Sequence, residues 1–335
     1  VRTFFIIVDV YTARKKTAIV WDKIQHSLDK QQVNYSVVKV RPKIAAHITE
    51  KFIRTTSPQQ LADCVIMAIG QHDLMLDTIK GIKNAGKVDL PIAFISTAQH
   101  DPFMQKIGVS SDPLSALQQI LNAVRPVYFN LGQVNEPTHD SRRFFTDELN
   151  IGFNAYVANT LANSRFHRLL TRFHLSYLSK LWNKLTAYIN QESFEVTMRI
   201  NQKYNFYKHT FNVTIKNEPY LSQQRSLSSV KHPTLNNNLQ VELISNMNLL
   251  FYFLLLITRK LKIQHKLPFV HNYASNQVHL VIKSLEFGQV DHHQMNNKFY
   301  DVFFKSFSYP FWYDIDSIPL ADMSQKQLPK KSSKN

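Results

Sequence analysis

Cys64-Val65-Ile66-Met67-Ala68-Ile69-Gly70 runs without a charge and stops at a glycine; apolar residues at helical spacing follow at Leu74–Ile82. An uninterrupted apolar run of this length suits a strand buried on both faces, and the change to a 3.6-residue period marks the helix after it. The same pairing recurs on either side. Phe4–Val8 precedes Ala18–Leu28, whose Ile19, Ile24 and Leu28 keep helical spacing. Tyr35–Val40 precedes a helix over Ile44–Phe52, with Pro42 near its start. Ile92–Ile95 precedes Pro113–Val124, entered through Ser111-Asp112. Strand and helix in that rhythm predict an α/β domain, a parallel sheet with flanking helices.

After about residue 126 the texture changes. Phe144–Asn150, Ser193–Asn201, His209–Lys216, Gln240–Ile244, Val278–Ser284 and Lys298–Phe304 read as strands. Polar stretches rich in Asn, Ser and Gln separate them, which predicts an antiparallel β-rich domain. Two helices are inserted, Arg165–Ile189 and Asn246–Lys266. The expected division is an α/β domain over residues 1–125, a β-rich domain over 126–304 and a disordered, Lys-rich tail over 323–335.

Composition narrows the function. Among 335 residues, 40 Lys and Arg face 24 Asp and Glu, a formal charge of +16. That excess favours an anionic partner, an acidic membrane or nucleic acid. Glycine occurs 7 times, a scarcity that disfavours intact phosphate-cradling loops, which use glycine for close backbone approach. Cys64 is the lone cysteine, so neither an intrachain disulfide nor a cysteine-based zinc site is open to the chain. Lying in an apolar run, it reads as a small buried hydrophobe. The greasiest stretch, Leu249–Ile257, falls well short of the roughly 20 residues that span a bilayer. No secretory leader is visible, and the expected location is cytoplasmic, peripheral at the inner face of the membrane.

Familiar site patterns fail on context. Gly81 to Lys87 matches G-x-x-x-x-G-K, but Val88 stands where a magnesium-binding hydroxyl belongs and the pattern closes a helix instead of following a strand. His292 and His293 are adjacent, so along a strand they point to opposite sides and cannot share an ion. Neither G-x-S-x-G nor H-E-x-x-H occurs, which removes the serine-hydrolase and zincin readings. The Arg165–Ile189 segment carries more information. No acidic residue occurs from Leu149 to Gln191, and Arg165, Arg168, Arg172, Lys180 and Lys184 alternate there with Phe166, Phe173, Trp182 and Tyr188. Cations beside aromatics suit anionic headgroups, although a core-facing stripe with a solvated charged face explains the same spacing. The second helix ends alike, with Arg259, Lys260, Lys262 and Lys266. Nucleic acid is the weaker partner, because no recognition motif accompanies the charge.

Taken in order, several segments resemble the bacterial diacylglycerol kinase and lipid kinase family, which includes the sphingosine kinases. Val65–Ile69 leading into Gly70-Gln71-His72-Asp73-Leu74 resembles its strand followed by G-G-D-G-T. Ala98-Gln99-His100-Asp101-Pro102-Phe103 resembles its G-T-x-N-D-F segment. Asn150-Ile151-Gly152-Phe153-Asn154-Ala155 resembles the strand and G-F-D-A that open its second domain, and Gln289-Val290-Asp291-His292-His293 its late V-D-G-E turn. The resemblance covers roughly residues 3 to 305. It implies a nucleotide held between an α/β lobe and a β lobe, and a C-terminal return over about 305–325 that completes the first. It implies ATP with Mg²⁺ and transfer of the terminal phosphoryl group to a lipid hydroxyl. Gly70, Gln71, His72, Asp73 and Asp101 would then lie by the nucleotide, and Asp291 would take the hydroxyl proton.

The departures fall on the residues that matter. The loop's second glycine is Gln71, its aspartate His72, its last glycine Asp73 and its threonine Leu74. The second motif's Gly-Thr is Ala98-Gln99, and its aspartate is Pro102. The late turn's Gly-Glu is His292-His293. Losing one catalytic carboxylate or phosphate donor commonly costs about 10²–10⁴ in rate. Several lost together predict a very slow or inactive kinase, with a pseudo-kinase at an anionic membrane surface as the alternative; in that case neither ATP nor Mg²⁺ would be bound.

Overall fold

The computed structural model describes residues 2–12, 14–41, 43–86, 89–137, 141–163, 176–218, 238–261, 263–291 and 293–315. The described chain forms two compact units, residues 2–129 with 308–315 and residues 130–218 with 238–307. The expected tail over 323–335 and His292 lie outside the described residues.

The first unit runs β1 (Thr3–Asp9), α1 (Arg14–Lys30), β2 (Tyr35–Val40), α2 (Ala45–Thr55), α3 (Pro58–Ala62), β3 (Cys64–Gly70), α4 (His72–Ala85), β4 (Ile92–Ser96), α5 (Pro102–Lys106) and α6 (Pro113–Asn122). Its sheet is parallel, in the order β2–β1–β3–β4. Phe4–Asp9 and all of β3 are buried, so both faces of the sheet are covered, as the uninterrupted apolar runs require. Helix α1 pairs with α6 and α2 with α4; Phe52 of α2 stacks on Phe5 with ring centroids 3.7 Å apart. Gly81 lets α2 and α4 approach: a Cβ there would stand 2.3 Å from the Ala46 carbonyl oxygen. Gly86 ends α4 in the left-handed region, φ 70°, the usual glycine cap of a helix C-terminus. The glycines of the Gly81–Lys87 pattern are thus accounted for by helix packing and helix termination.

The chain comes back to this sheet after residue 308. Phe311 pairs in parallel with Ile92, the Trp312 N–H donates to the Ile92 carbonyl over 2.8 Å, and the buried Tyr313 hydroxyl donates to Phe94 O over 2.7 Å while accepting from Phe94 N over 2.6 Å.

The second unit begins within β5 (Val127–Glu136) and continues through β6 (Ser141–Phe145), β7 (Glu148–Gly152), α7 (Phe153–Asn163), α8 (Ser176–Asn190), β8 (Phe194–Ile200), β9 (Lys203–Lys216), β10 (Leu239–Ser245), α9 (Leu249–Lys260), β11 (Val270–Ser275), β12 (Gln277–Val290) and β13 (His293–Phe311). Its strands pair antiparallel in the order β11–β10–β9–β7–β12–β13. Strand β8 also pairs with both β9 and β12. Strands β9 and β12 are 14 residues long, enough to serve two partners in succession; Ile151, Met198, Val213, Leu243 and Leu280 meet in the resulting core. A second core lies under the helices, where Phe153 and Val157 of α7, Ala187 of α8 and Tyr252 and Leu255 of α9 meet Phe211, Ile244 and Val270 of the sheet.

Several elements differ from expectation. The single strand expected over Phe144–Asn150 is two, broken at Thr146-Asp147, because the N–H groups there turn to a side chain, Asp291, instead of a ladder. Helix α7 occupies a stretch assigned no helix; its apolar Phe153 and Val157 meet the sheet. Helix α9 starts three residues later than expected: Asn246 has φ 49°, and the Asn248 side chain accepts from Phe251 N over 2.8 Å as the N-cap. Of the helix expected over Arg165–Ile189, the described part is α8.

Candidate functional site

In the first unit, β1 leads to β2 on one side and β3 leads to β4 on the other, so the carboxyl ends of β1 and β3 form the point at which an open parallel sheet offers a crevice. Asp9 ends β1 there, Gly70-Gln71-His72-Asp73 join β3 to α4, and Ser96-Thr97 follow β4. The ends are tied together. Thr97 N donates to the Gly70 carbonyl over 2.9 Å, and the Thr97 and buried Thr17 hydroxyls lie 3.3 Å apart.

Two buried carboxylates dominate this edge, and each consumes backbone donors. Asp9 Oδ1 accepts from Tyr11 N at 2.9 Å and Thr12 N at 3.1 Å, and the Thr12 hydroxyl donates to Oδ2. Asp101 caps α5: its Oδ1 accepts from Phe103 N at 3.1 Å and Met104 N at 3.2 Å. His72 Nδ1 lies 3.3 Å from Asp101 Oδ2, and its ring meets Phe94 and Phe103 edge-on. Burial works to raise the pKa of Asp101, but the hydrogen bond and charge of His72, the Met104 N–H and the Ser96 hydroxyl outweigh it and hold the carboxyl below its usual range. Asp73 is exposed and Gln71 half-buried on the first turn of α4. One turn on, burial and the neighbouring Asp73 raise Asp77, against the opposing pull of Lys80 and Lys43.

Gly70 is a packing glycine. A Cβ on it would fall 2.8 Å from Leu74 Cδ2 and 3.2 Å from Asp9 Cβ. The space that a glycine elsewhere leaves open for a phosphate is filled here by side chains.

Asp291 belongs to the second unit, at the turn between β12 and β13. It is 7% exposed with φ 49°. Its Oδ1 accepts from Asp147 N at 2.8 Å and Glu148 N at 3.1 Å; its Oδ2 accepts from Thr146 N at 3.0 Å and the Thr146 hydroxyl at 3.3 Å. A carboxylate offers about four lone-pair sites, and these four bonds occupy them. The arrangement pins the β6–β7 break to the β12–β13 turn, with both carboxylate oxygens engaged by protein donors. Of the basic residues named from the sequence, Arg165, Arg168 and Arg172 lie outside the described residues, as does the side chain of Lys180; Lys184 is half-buried on α8.

The structure therefore brings Gly70, Gln71, His72, Asp73 and Asp101 to one sheet edge. Asp9, Thr12, Ser96 and Thr97 join them without having been singled out as site residues. The available signal for Asp9 is an acid closing an otherwise apolar strand, a place where an ionised side chain needs a dedicated partner.

Much of this edge is closed to the phosphates of ATP. A triphosphate needs unspent N–H donors and open backbone. Tyr11, Thr12, Phe103 and Met104 already give their N–H groups to carboxylates, Gly70 is covered, and Asp9, Asp73 and Asp101 add negative charge. Among the described residues no group of three or more His, Cys, Asp and Glu side chains is placed to hold a metal ion.

No family model matches the chain, and no curated protein does either. Solved structures match in fold. A crystal structure named "putative diacylglycerol kinase" from Bacillus anthracis str. Sterne aligns with a TM-score of 0.62 at 13% identity, covering 93% of this chain and 96% of that one. A second so named from the same organism gives 0.59 at 12%, covering 93% and 97%. A diacylglycerol kinase structure from that organism gives 0.55 at 11%, covering 93% and 96%. At these identities the likeness is one of fold: this chain has the mixed α/β and antiparallel β architecture of a diacylglycerol-kinase-like protein.

Proposed function

We propose that this protein keeps the diacylglycerol-kinase-like fold as a binding scaffold at an anionic membrane surface and does not transfer phosphoryl groups. The observation that carries the reading is Asp101: its carboxylate takes the Phe103 and Met104 N–H groups and lies against His72, at the sheet edge where the resemblance implies nucleotide. A carboxylate bound to those donors occupies them as a phosphate oxygen would, and its charge repels a triphosphate. Saturation of Asp291 by Thr146, Asp147 and Glu148 supports the same reading for proton removal. The charge of +16 and the acid-free stretch Leu149–Gln191 support the anionic surface.

The second reading, ATP-dependent phosphorylation of a lipid hydroxyl, draws on the fold likeness. Isothermal titration with Mg-ATP separates the two. No saturable heat is expected at millimolar nucleotide; one-to-one binding below about 1 mM, equivalent to about −4 kcal/mol, would overturn the scaffold reading.

A further inference from the structure

The exposed apolar side chains of the second unit concentrate on one helix. Leu249, Leu250, Phe253, Leu254, Ile257 and Leu261 are 49%, 73%, 49%, 39%, 58% and 61% exposed. Five of them fall at i, i+3, i+4, i+7 and i+11 from Leu250, which is one face of α9 and its C-cap. The opposite face is already used: Tyr252 and Leu255 lie in the core shared with α7, α8 and the sheet, and Tyr252 stacks on Tyr188 of α8 with centroids 5.1 Å apart. The helix is thus apolar all round with one side facing solvent, where a surface helix carries polar residues. A continuous exposed patch of large side chains marks an interaction site.

Charge identifies what covers it. None of α7, α8 and α9, which share one core, carries an Asp or Glu, whereas α1, α2 and α4 of the first unit each do. No acidic residue occurs from Leu243 to Leu285. Lys260 and Lys266 are exposed just beyond the apolar face, and Trp182 and Ile189 of α8 add exposure of 60% and 73%. Apolar side chains bordered by cations, with acids excluded from the whole helical layer, match an anionic bilayer, whose headgroups take the lysines while the acyl boundary takes the Leu and Phe side chains.

We infer that the Leu250–Phe253–Ile257 face of α9 inserts into the headgroup–acyl boundary of an anionic lipid bilayer, with Lys260 and Lys266 on the headgroups. This rests on the scaffold reading above for its membrane partner and adds the element that makes the contact. No helix among the described residues is long and apolar enough to cross a membrane, so the contact is along the surface.

The test is flotation of the full chain with vesicles of phosphatidylglycerol and phosphatidylcholine, compared with phosphatidylcholine alone. The wild type is expected to float with the anionic vesicles. The triple change Leu250→Ser, Phe253→Ser, Ile257→Ser, all at exposed positions, should lower partitioning more than about 100-fold, from about 1.5–3 kcal/mol per buried large side chain, with an unchanged thermal melt. Lys260→Ala with Lys266→Ala should lower it about 30-fold on anionic vesicles only, from about 1 kcal/mol per lysine. With Trp21, Trp182 and Trp312 replaced by Phe, the single indole of the Phe253→Trp protein should shift its emission to the blue and be quenched by brominated lipid. Anionic binding by the wild type that the triple change leaves intact would overturn this inference while sparing the membrane reading. Failure of the wild type to float would overturn both. An unquenched indole, or a dimer in sedimentation abolished by the triple change without lipid, would show that the face meets protein and would overturn the inference.

Discussion

Asp291→Ala tests whether the late-turn carboxylate is a structural clamp. The substitution strips acceptors from three backbone N–H groups and one hydroxyl, at a site where the aspartate is 7% exposed. Each buried donor left unsatisfied costs about 1–3 kcal/mol. Partial relaxation and water entry make the costs less than additive, so a total of about 4 kcal/mol is expected. The backbone adds its own contribution. With φ 49°, alanine pays roughly 1 kcal/mol for the left-handed region, which glycine does not. Asp291→Gly should therefore lose the same hydrogen bonds yet be about 1 kcal/mol less destabilised than Asp291→Ala. Asp291→Asn, which tolerates this conformation and keeps one acceptor oxygen, should be the mildest. The assay is urea unfolding followed by far-ultraviolet circular dichroism for all three variants. A loss below about 1 kcal/mol for Asp291→Ala would refute the clamp.

Other expectations follow from single contacts. Asp101 is held ionised by the folded protein, so its contribution is complete above the unfolded carboxylate range and is lost as pH falls through its lowered folded value. Asp101→Asn keeps an N-cap and should cost about 1 kcal/mol at pH 7 but progressively less in acid; a gap in melting temperature that stays constant with pH would contradict this. Gly288→Ala places a Cβ 2.2 Å from Tyr300 Oη and should cost about 1–3 kcal/mol. The Tyr300 hydroxyl is buried without a hydrogen-bond partner, so adding Tyr300→Phe should recover part of that loss, and strict additivity in a double-mutant cycle would argue against the contact. Burial pushes the Cys64 thiol up to about 11, and a thiol reagent at pH 8 should label it only after unfolding; fast labelling of native protein would contradict its position in β3.

The sequence by itself determined the local grammar. β1, β3 and β4 are legible because strands covered on both faces must be apolar throughout, and α2, α4 and α6 because their apolar residues keep helical spacing. The side chains after Gly70 were also readable, since Gln71 and Asp73 stand where the resembled loop has glycines. Hydrogen bonding between distant residues was not. Nothing near Thr146 announces that its strand breaks, because the acceptor that draws its N–H away is 145 positions along the chain. Asp101 likewise meets His72 only when parallel pairing brings the ends of β3 and β4 together, although the N–H groups that Asp9 and Asp101 accept from lie only two and three residues ahead in sequence. The apolar composition of Leu249–Ile257 was visible as a run. Which half of that helix faces the core and which faces outward was decided by Tyr252 and Leu255 packing under α7 and α8, because burial is a property of the neighbours that folding supplies.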